Sequence, residues 1–166
     1  MKTSTTKFIF IYGVISIISF HSTSAQENLE AKYKEFDFWK GEWQVYKHNT
    51  DTLVGYNTIT TIVDDKALEE NYSSYKTNFK GVSLTKYNPK LDRWEQFWVD
   101  TSGVTLFLKG NYIDNAMVLQ DTTKTSLNKI IWKPINNNEV RQTWYQSNDQ
   151  GKTWVIVFDG DYKPVK

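Results

Sequence analysis

From Trp43 to Tyr162 the chain is a succession of short runs rich in Val, Ile, Thr and aromatic residues, cut by turn formers about every 8–12 residues. The breaks fall at His48-Asn49-Thr50-Asp51, Asp64-Asp65, Asn78 to Gly81, Asn88 to Asp92, Thr101-Ser102-Gly103, Asp114-Asn115, Asp121 to Thr125, Asn136-Asn137-Asn138 and Asn148 to Gly151. This punctuation predicts about ten antiparallel strands. An open sheet of that many short strands would leave two edges free to pair with other chains, and closure removes both. The predicted fold class is all-β: an antiparallel up-and-down β-barrel of about ten strands, with a two-sheet sandwich as the competing architecture. Helical periodicity is confined to a short N-terminal stretch, Leu29 to Trp39, where Asp37 is expected to cap a last tight turn before Gly41.

The beginning of the chain has a different character. Lys2 and Lys7 precede the uncharged run Phe8 to Phe20, which is too short to span a bilayer and suits the hydrophobic part of a secretory signal. Thr23-Ser24-Ala25 supplies small residues for cleavage after Ala25, so residues 1–25 are read as a signal peptide and 26–166 as one domain. A membrane-anchoring helix is the alternative reading of the same segment. The expectation is an exported protein, periplasmic or extracellular. Cleavage leaves 141 residues with eighteen basic and nineteen acidic side chains, a net charge of −1. Such a balance gives no field to draw the mature chain onto nucleic acid or an anionic membrane surface. There is no cysteine, which excludes thiol nucleophiles, thiolate metal sites and disulfides, so the core alone must hold the domain. Seven Trp, ten Tyr and nine Phe provide large rings for that core.

Three segments, FDFWKGEWQVY, GVSLTKYNPKLDRWEQFWVDTSG and RQTWYQSNDQGKTWVIVFDGDY, resemble a family of secreted bacterial proteins of unknown function with a lipocalin-like, calycin-type barrel. The likeness runs from about Phe36 to Tyr162, and a more distant one extends to the nitrobindin barrels that hold haem. It implies binding of a small apolar or amphipathic molecule inside a barrel. Gly41-Glu42-Trp43 has the form of the lipocalin Gly-x-Trp signature, in which Gly41 makes a tight turn into the first strand and Trp43 covers the closed end. The resemblance also implies an Arg from a late strand lying over that Trp. Of Arg93 and Arg141, Arg141 is the better placed, though it falls on the penultimate strand. Phe36, Phe38, Trp39 and Trp43 are read as a plug for one end of the barrel.

Alternation assigns faces along each strand. With the Trp-bearing face inward, Trp94, Gln96 and Trp98 point inside on one strand, Val140, Gln142 and Trp144 on another, and Trp154, Ile156, Phe158, Gly160 and Tyr162 on the last. The same rule places Leu68, Glu70, Tyr72, Ser83 and Tyr87 inside. The expected ligand-binding set is Glu70, Tyr72, Ser83, Tyr87, Trp94, Gln96, Trp98, Gln142 and Trp144: large rings with a few polar groups, as small-molecule sites have. Those polar groups must bond to one another, to water or to a ligand. A water-bridged network that merely satisfies the core is the alternative.

Three functional readings follow. The first is an exported small-molecule-binding barrel. The second is an enzyme using Glu70, its pKa raised by desolvation, as general acid or base. The third is a glycan-binding accessory protein presenting Tyr33, Tyr46, Tyr56, Tyr75 and Tyr145. No Gly-x-Ser-x-Gly elbow, phosphate loop or metal-binding His spacing appears, so no cofactor, metal or catalytic residue is assigned. His48 is the single histidine left after cleavage that could ligate haem, and it lies out of phase with inward Trp43 and Val45. Outer residues such as Phe97 and Val99 leave a homodimer open.

Overall fold

The computed structural model describes residues 18–122, 126–136 and 138–165, with side chains from residue 26 onward. A helix α1 (Ile18–Tyr33) and a 3-10 turn (Asp37–Trp39) precede ten strands: β1 (Gly41–Lys47), β2 (Leu53–Ile62), β3 (Ala67–Ser74), β4 (Lys80–Asn88), β5 (Arg93–Asp100), β6 (Thr105–Ile113), β7 (Ala116–Gln120), β8 (Leu127–Asn136), β9 (Glu139–Ser147) and β10 (Val155–Pro164). Residues 1–17 of the expected signal lie outside the described residues, and α1 runs across the expected cut after Ala25.

Every strand pairs antiparallel with its sequence neighbours, and β1 pairs β10 from Trp43 opposite Pro164 to Lys47 opposite Gly160. The sheet is therefore a closed, lipocalin-like barrel, and the sandwich alternative falls. All nine predicted breaks separate observed strands. The tightest, Asp114-Asn115, holds both residues at positive φ, 50° and 61°, as a two-residue hairpin of type I′ requires.

Alternation governs most of the wall. On β4, Gly81, Ser83, Thr85 and Tyr87 are buried while Lys80, Val82, Leu84 and Lys86 are exposed. The last strand departs from it. Its ladder to β9 shifts register between Ile156 and Phe158, an irregularity that resets which side chains point inward. Phe158, Gly160 and Tyr162 keep the inner face, but Ile156 pairs with outward Tyr145, and Trp154 stands outside under Lys129 Nζ, 4.1 Å from its ring centre. The expected inward placement of Trp154 and Ile156 is thus corrected: one extra residue exchanges the faces beyond it.

One end of the barrel is filled. Phe36 and Trp39 are wholly buried and stacked, with centroids 4.9 Å apart. Phe36 also meets Trp94 at 5.8 Å and Trp132 at 5.3 Å, both near perpendicular. Trp43 Nε1 donates to the Trp39 carbonyl at 2.9 Å, and its ring lies edge-on to Tyr162 at 6.3 Å. Gly41, at φ 137°, makes the turn between plug and β1 that a side chain would disfavour. Phe36, Phe38, Trp39 and Trp43 close the barrel as the sequence suggested.

Arg141 does not take part in that closure. It alternates with inward Val140 and Gln142 and grips Asp159 on the outer face, Nε to Oδ1 at 2.8 Å and a terminal nitrogen to Oδ2 at 2.7 Å. The Arg-over-Trp contact implied by the lipocalin resemblance is replaced by this bidentate pair and by the Trp43–Tyr162 contact.

Candidate functional site

Above the plug the barrel is hollow. A cavity of about 400 Å³ lies between β3, β5, β8, β9 and β10, near the small end of the range, roughly 300–1,000 Å³, in which drug-sized ligands sit. Six of the nine sequence-predicted site residues line it: Glu70, Tyr72, Gln96, Trp98, Gln142 and Trp144. Ser83 stands one layer behind, bonded to Glu70 and Gln96.

Tyr87 and Trp94 belong elsewhere. Both face inward, but at the plugged end: Tyr87 meets Tyr33 at 5.9 Å and bonds Asp92 at 2.5 Å, while Trp94 touches Phe36 and donates Nε1 to Glu35 at 3.0 Å. Alternation gives the face of a residue and not its height along the barrel axis, so Tyr87 and Trp94 share the inner face with the cavity residues but stand at the level of the plug.

The polar floor is a connected network. Glu70 Oε1 accepts from Asn57 Nδ2 at 2.7 Å and Oε2 accepts from the Ser83 hydroxyl at 2.6 Å. Gln96 Nε2 donates to Ser83 at 3.2 Å and to Thr85 at 3.1 Å. Asn57 Nδ2 also reaches the Tyr162 hydroxyl at 3.4 Å, and Tyr162 in turn donates to Gln142 Oε1 in a very short bond. These bonds fix the two glutamine amides in opposite senses. Gln96 keeps its carbonyl oxygen free for the cavity, and Gln142 keeps its NH₂. Asn57 Oδ1 is buried without a partner.

Burial pushes the Glu70 carboxyl up from its ordinary 4.5 to about 7, against the opposing pull of the Ser83 and Asn57 hydrogen bonds. Burial and the neighbouring Glu70 likewise raise the Tyr72 and Tyr162 phenols.

The walls are preorganised aromatic faces. Trp98 Nε1 is tied to Asp100 Oδ2 at 3.0 Å and Trp144 Nε1 to Asn128 Oδ1 at 2.9 Å, so each indole N–H is satisfied within the protein and each ring is held in place. Gly81 makes room for Trp98: a Cβ there would come within 2.0 Å of the indole. Phe79 and Phe158 complete the ring-lined part of the cavity.

Sequence reasoning missed Asn57, Thr85, Trp132 and Phe79 and did not give Tyr162 a role in the site. The β2 segment LVGYNTITTI carries Gly55, Asn57 and Ile59 on its buried face and Tyr56 on its exposed one. Reading large rings as inward therefore points the wrong way there. The signal that could have found Asn57 is its register: it lies two residues from Ile59, which pairs with Glu70.

The remaining candidates lie outside the cavity. His48 Nδ1 sits 2.8 Å from Asp161 Oδ1 and does not line the main cavity, though it borders an adjoining cleft that shares Tyr72, Ser74, Val157 and Phe158 with it. Among the described residues no cluster of His, Asp and Glu could hold a metal ion. Of the five tyrosines considered as glycan platforms, only Tyr56 and Tyr75 are exposed, and their rings stand 70° apart and form no flat shelf. Comparison with protein-family models and with curated proteins finds no match to this chain.

Proposed function

We propose that the protein is exported and binds a small hydrophobic or amphipathic molecule in the barrel cavity, as a member of the secreted lipocalin-like family that its sequence resembles. The observation that carries this reading is the coexistence of rigid ring walls with the floor of Glu70, Gln96 and Gln142, whose free amide groups point toward the hollow. A core built only for stability gains nothing from glutamines that line a hollow and commit only one end of each amide to the surrounding network. Native mass spectrometry of the protein purified from its own host tests the proposal. An added mass released by organic extraction is expected, and a bare protein mass in repeated preparations, with no probe taken up, contradicts it.

A second reading has one specific observation in its favour: a carboxyl held near neutrality at a ligand-sized cavity suits proton transfer. In that case Glu70→Gln abolishes turnover of a bound compound while leaving the fold intact. Association of two copies through the outer face is also proposed, because Leu84, Phe97 and Phe107 stand side by side across β4, β5 and β6 and are all exposed. Sedimentation of the wild type against Phe97→Lys measures it.

A further inference from the structure

Glu70 is a buried acid without a counter-ion. Its hydrogen-bond donors, Asn57 and Ser83, are neutral, and among the described residues lining the cavity none is Lys, Arg or His; Lys47 and His48 line an adjoining cleft that shares Tyr72, Ser74, Val157 and Phe158 with it. The other titratable groups facing it are the phenols of Tyr72 on its own strand and Tyr162 on β10, neither of which carries positive charge. An isolated carboxylate in such a place is costly, and a cation brought to it recovers part of that cost. The same cavity is lined by the rings of Tyr72, Phe79, Trp98, Trp144 and Phe158. The two indole N–H groups are already engaged by Asp100 and Asn128, which leaves the ring surfaces, electron-rich on their faces, as what the indoles present to a guest. Ring faces and a carboxyl lining one cavity both attract organic cations. Once Glu70 is ionised, the same chamber disfavours a fatty acid or a phosphate, since the residues lining it offer an acid and no base.

Resting on the ligand-binding reading above, we infer that the cavity takes an amphipathic organic amine, its ammonium group set against Glu70 and its apolar body among the rings of Trp98 and Trp144. A small volume and amide groups on the floor suit a compact, ring-bearing amine better than a long chain. Gln96 Oε1 is a further acceptor for an ammonium hydrogen.

Three probes with one ring system and different charge separate the possibilities: 1-naphthylmethylamine, 1-naphthalenemethanol and 1-naphthylacetate, titrated calorimetrically into the mature protein at pH 8. The amine is expected to bind at least tenfold more tightly than the alcohol, and the acetate most weakly. Glu70→Gln is expected to reduce the amine-to-alcohol ratio to about twofold or less. An alcohol or acetate that binds as tightly as the amine overturns the amine assignment while the cavity reading stands. If none of the three binds and the tryptophan fluorescence does not change, both fail. Should Glu70→Gln not fold, the ranking of the probes on the wild type decides by itself.

Discussion

Glu70 makes the stability of the empty protein depend on pH in an unusual direction. The folded state holds its proton at about 7, whereas an unfolded carboxyl releases it near 4.5. The stabilisation from a neutral Glu70 is therefore complete below about pH 4.5 and is lost as pH rises through about 7, a cost on the order of 3 kcal/mol once the group is ionised. Urea denaturation at pH 5.5 and pH 8 should show the wild type less stable at the higher pH, and Glu70→Gln should remove most of that difference. Equal stability at both values contradicts the burial of this carboxyl. Gly81 offers a second test at this scale. A Val there drives a methyl-bearing carbon into the Trp98 ring, so Gly81→Val should displace the indole, cost about 1–3 kcal/mol and weaken probe binding. Intact affinity in a folded Gly81→Val protein contradicts the role of Trp98 as a wall.

Among the elements, the 3-10 turn contributes more than its three residues suggest, because Trp39 is wholly buried against Phe36 and Trp132. Trp39→Ala should cost about 3–5 kcal/mol in urea denaturation, as large aromatic truncations in cores do. A loss below 1 kcal/mol contradicts its role as the plug. Strand β9 gives the opposite case. Arg141 and Asp159 form a partly exposed outer pair, so Arg141→Ala should cost no more than about 1 kcal/mol and leave the fluorescence of Trp43 unchanged. A large spectral change places Arg141 over Trp43 after all. This element also shows where resemblance misleads: the Gly-x-Trp turn carries over to Gly41 and Trp43, but the Arg that accompanies it in lipocalins does not. The inner faces of β5 and β9 were legible from their Trp-bearing positions although Glu95 and Thr143 are buried out of phase, and those of β3 and β4, mixed in composition, were legible only through their large inward residues. The start of β10 was not, since the register shift between Ile156 and Phe158 leaves no trace in the periodicity of VIVFDG. On β2 the buried face holds Gly55 and Asn57, small and polar residues that look like a solvent face until the neighbouring strand supplies Glu70.

For the whole molecule, strand count and closure were readable from nine polar breaks, because turn chemistry is local and two open edges are unfavourable whatever the side chains. Which end is shut was readable from the aromatic cluster before β1. The depth of the hollow was not, since it depends on how high each inward ring stands along the barrel axis, a property of stagger between strands that no single strand encodes. The resulting molecule is a tube stoppered by Phe36 and Trp39, with a ring-walled chamber above and one uncompensated acid on its floor. The most direct measurement of that arrangement is a ¹³C NMR titration of the Glu70 carboxyl in the empty protein and again saturated with 1-naphthylmethylamine. A midpoint near 7 that moves downward when the amine is bound is the expected result. A midpoint near the ordinary 4.5, unmoved by the amine, would show the carboxyl to be solvated and the chamber to be no site for a cation.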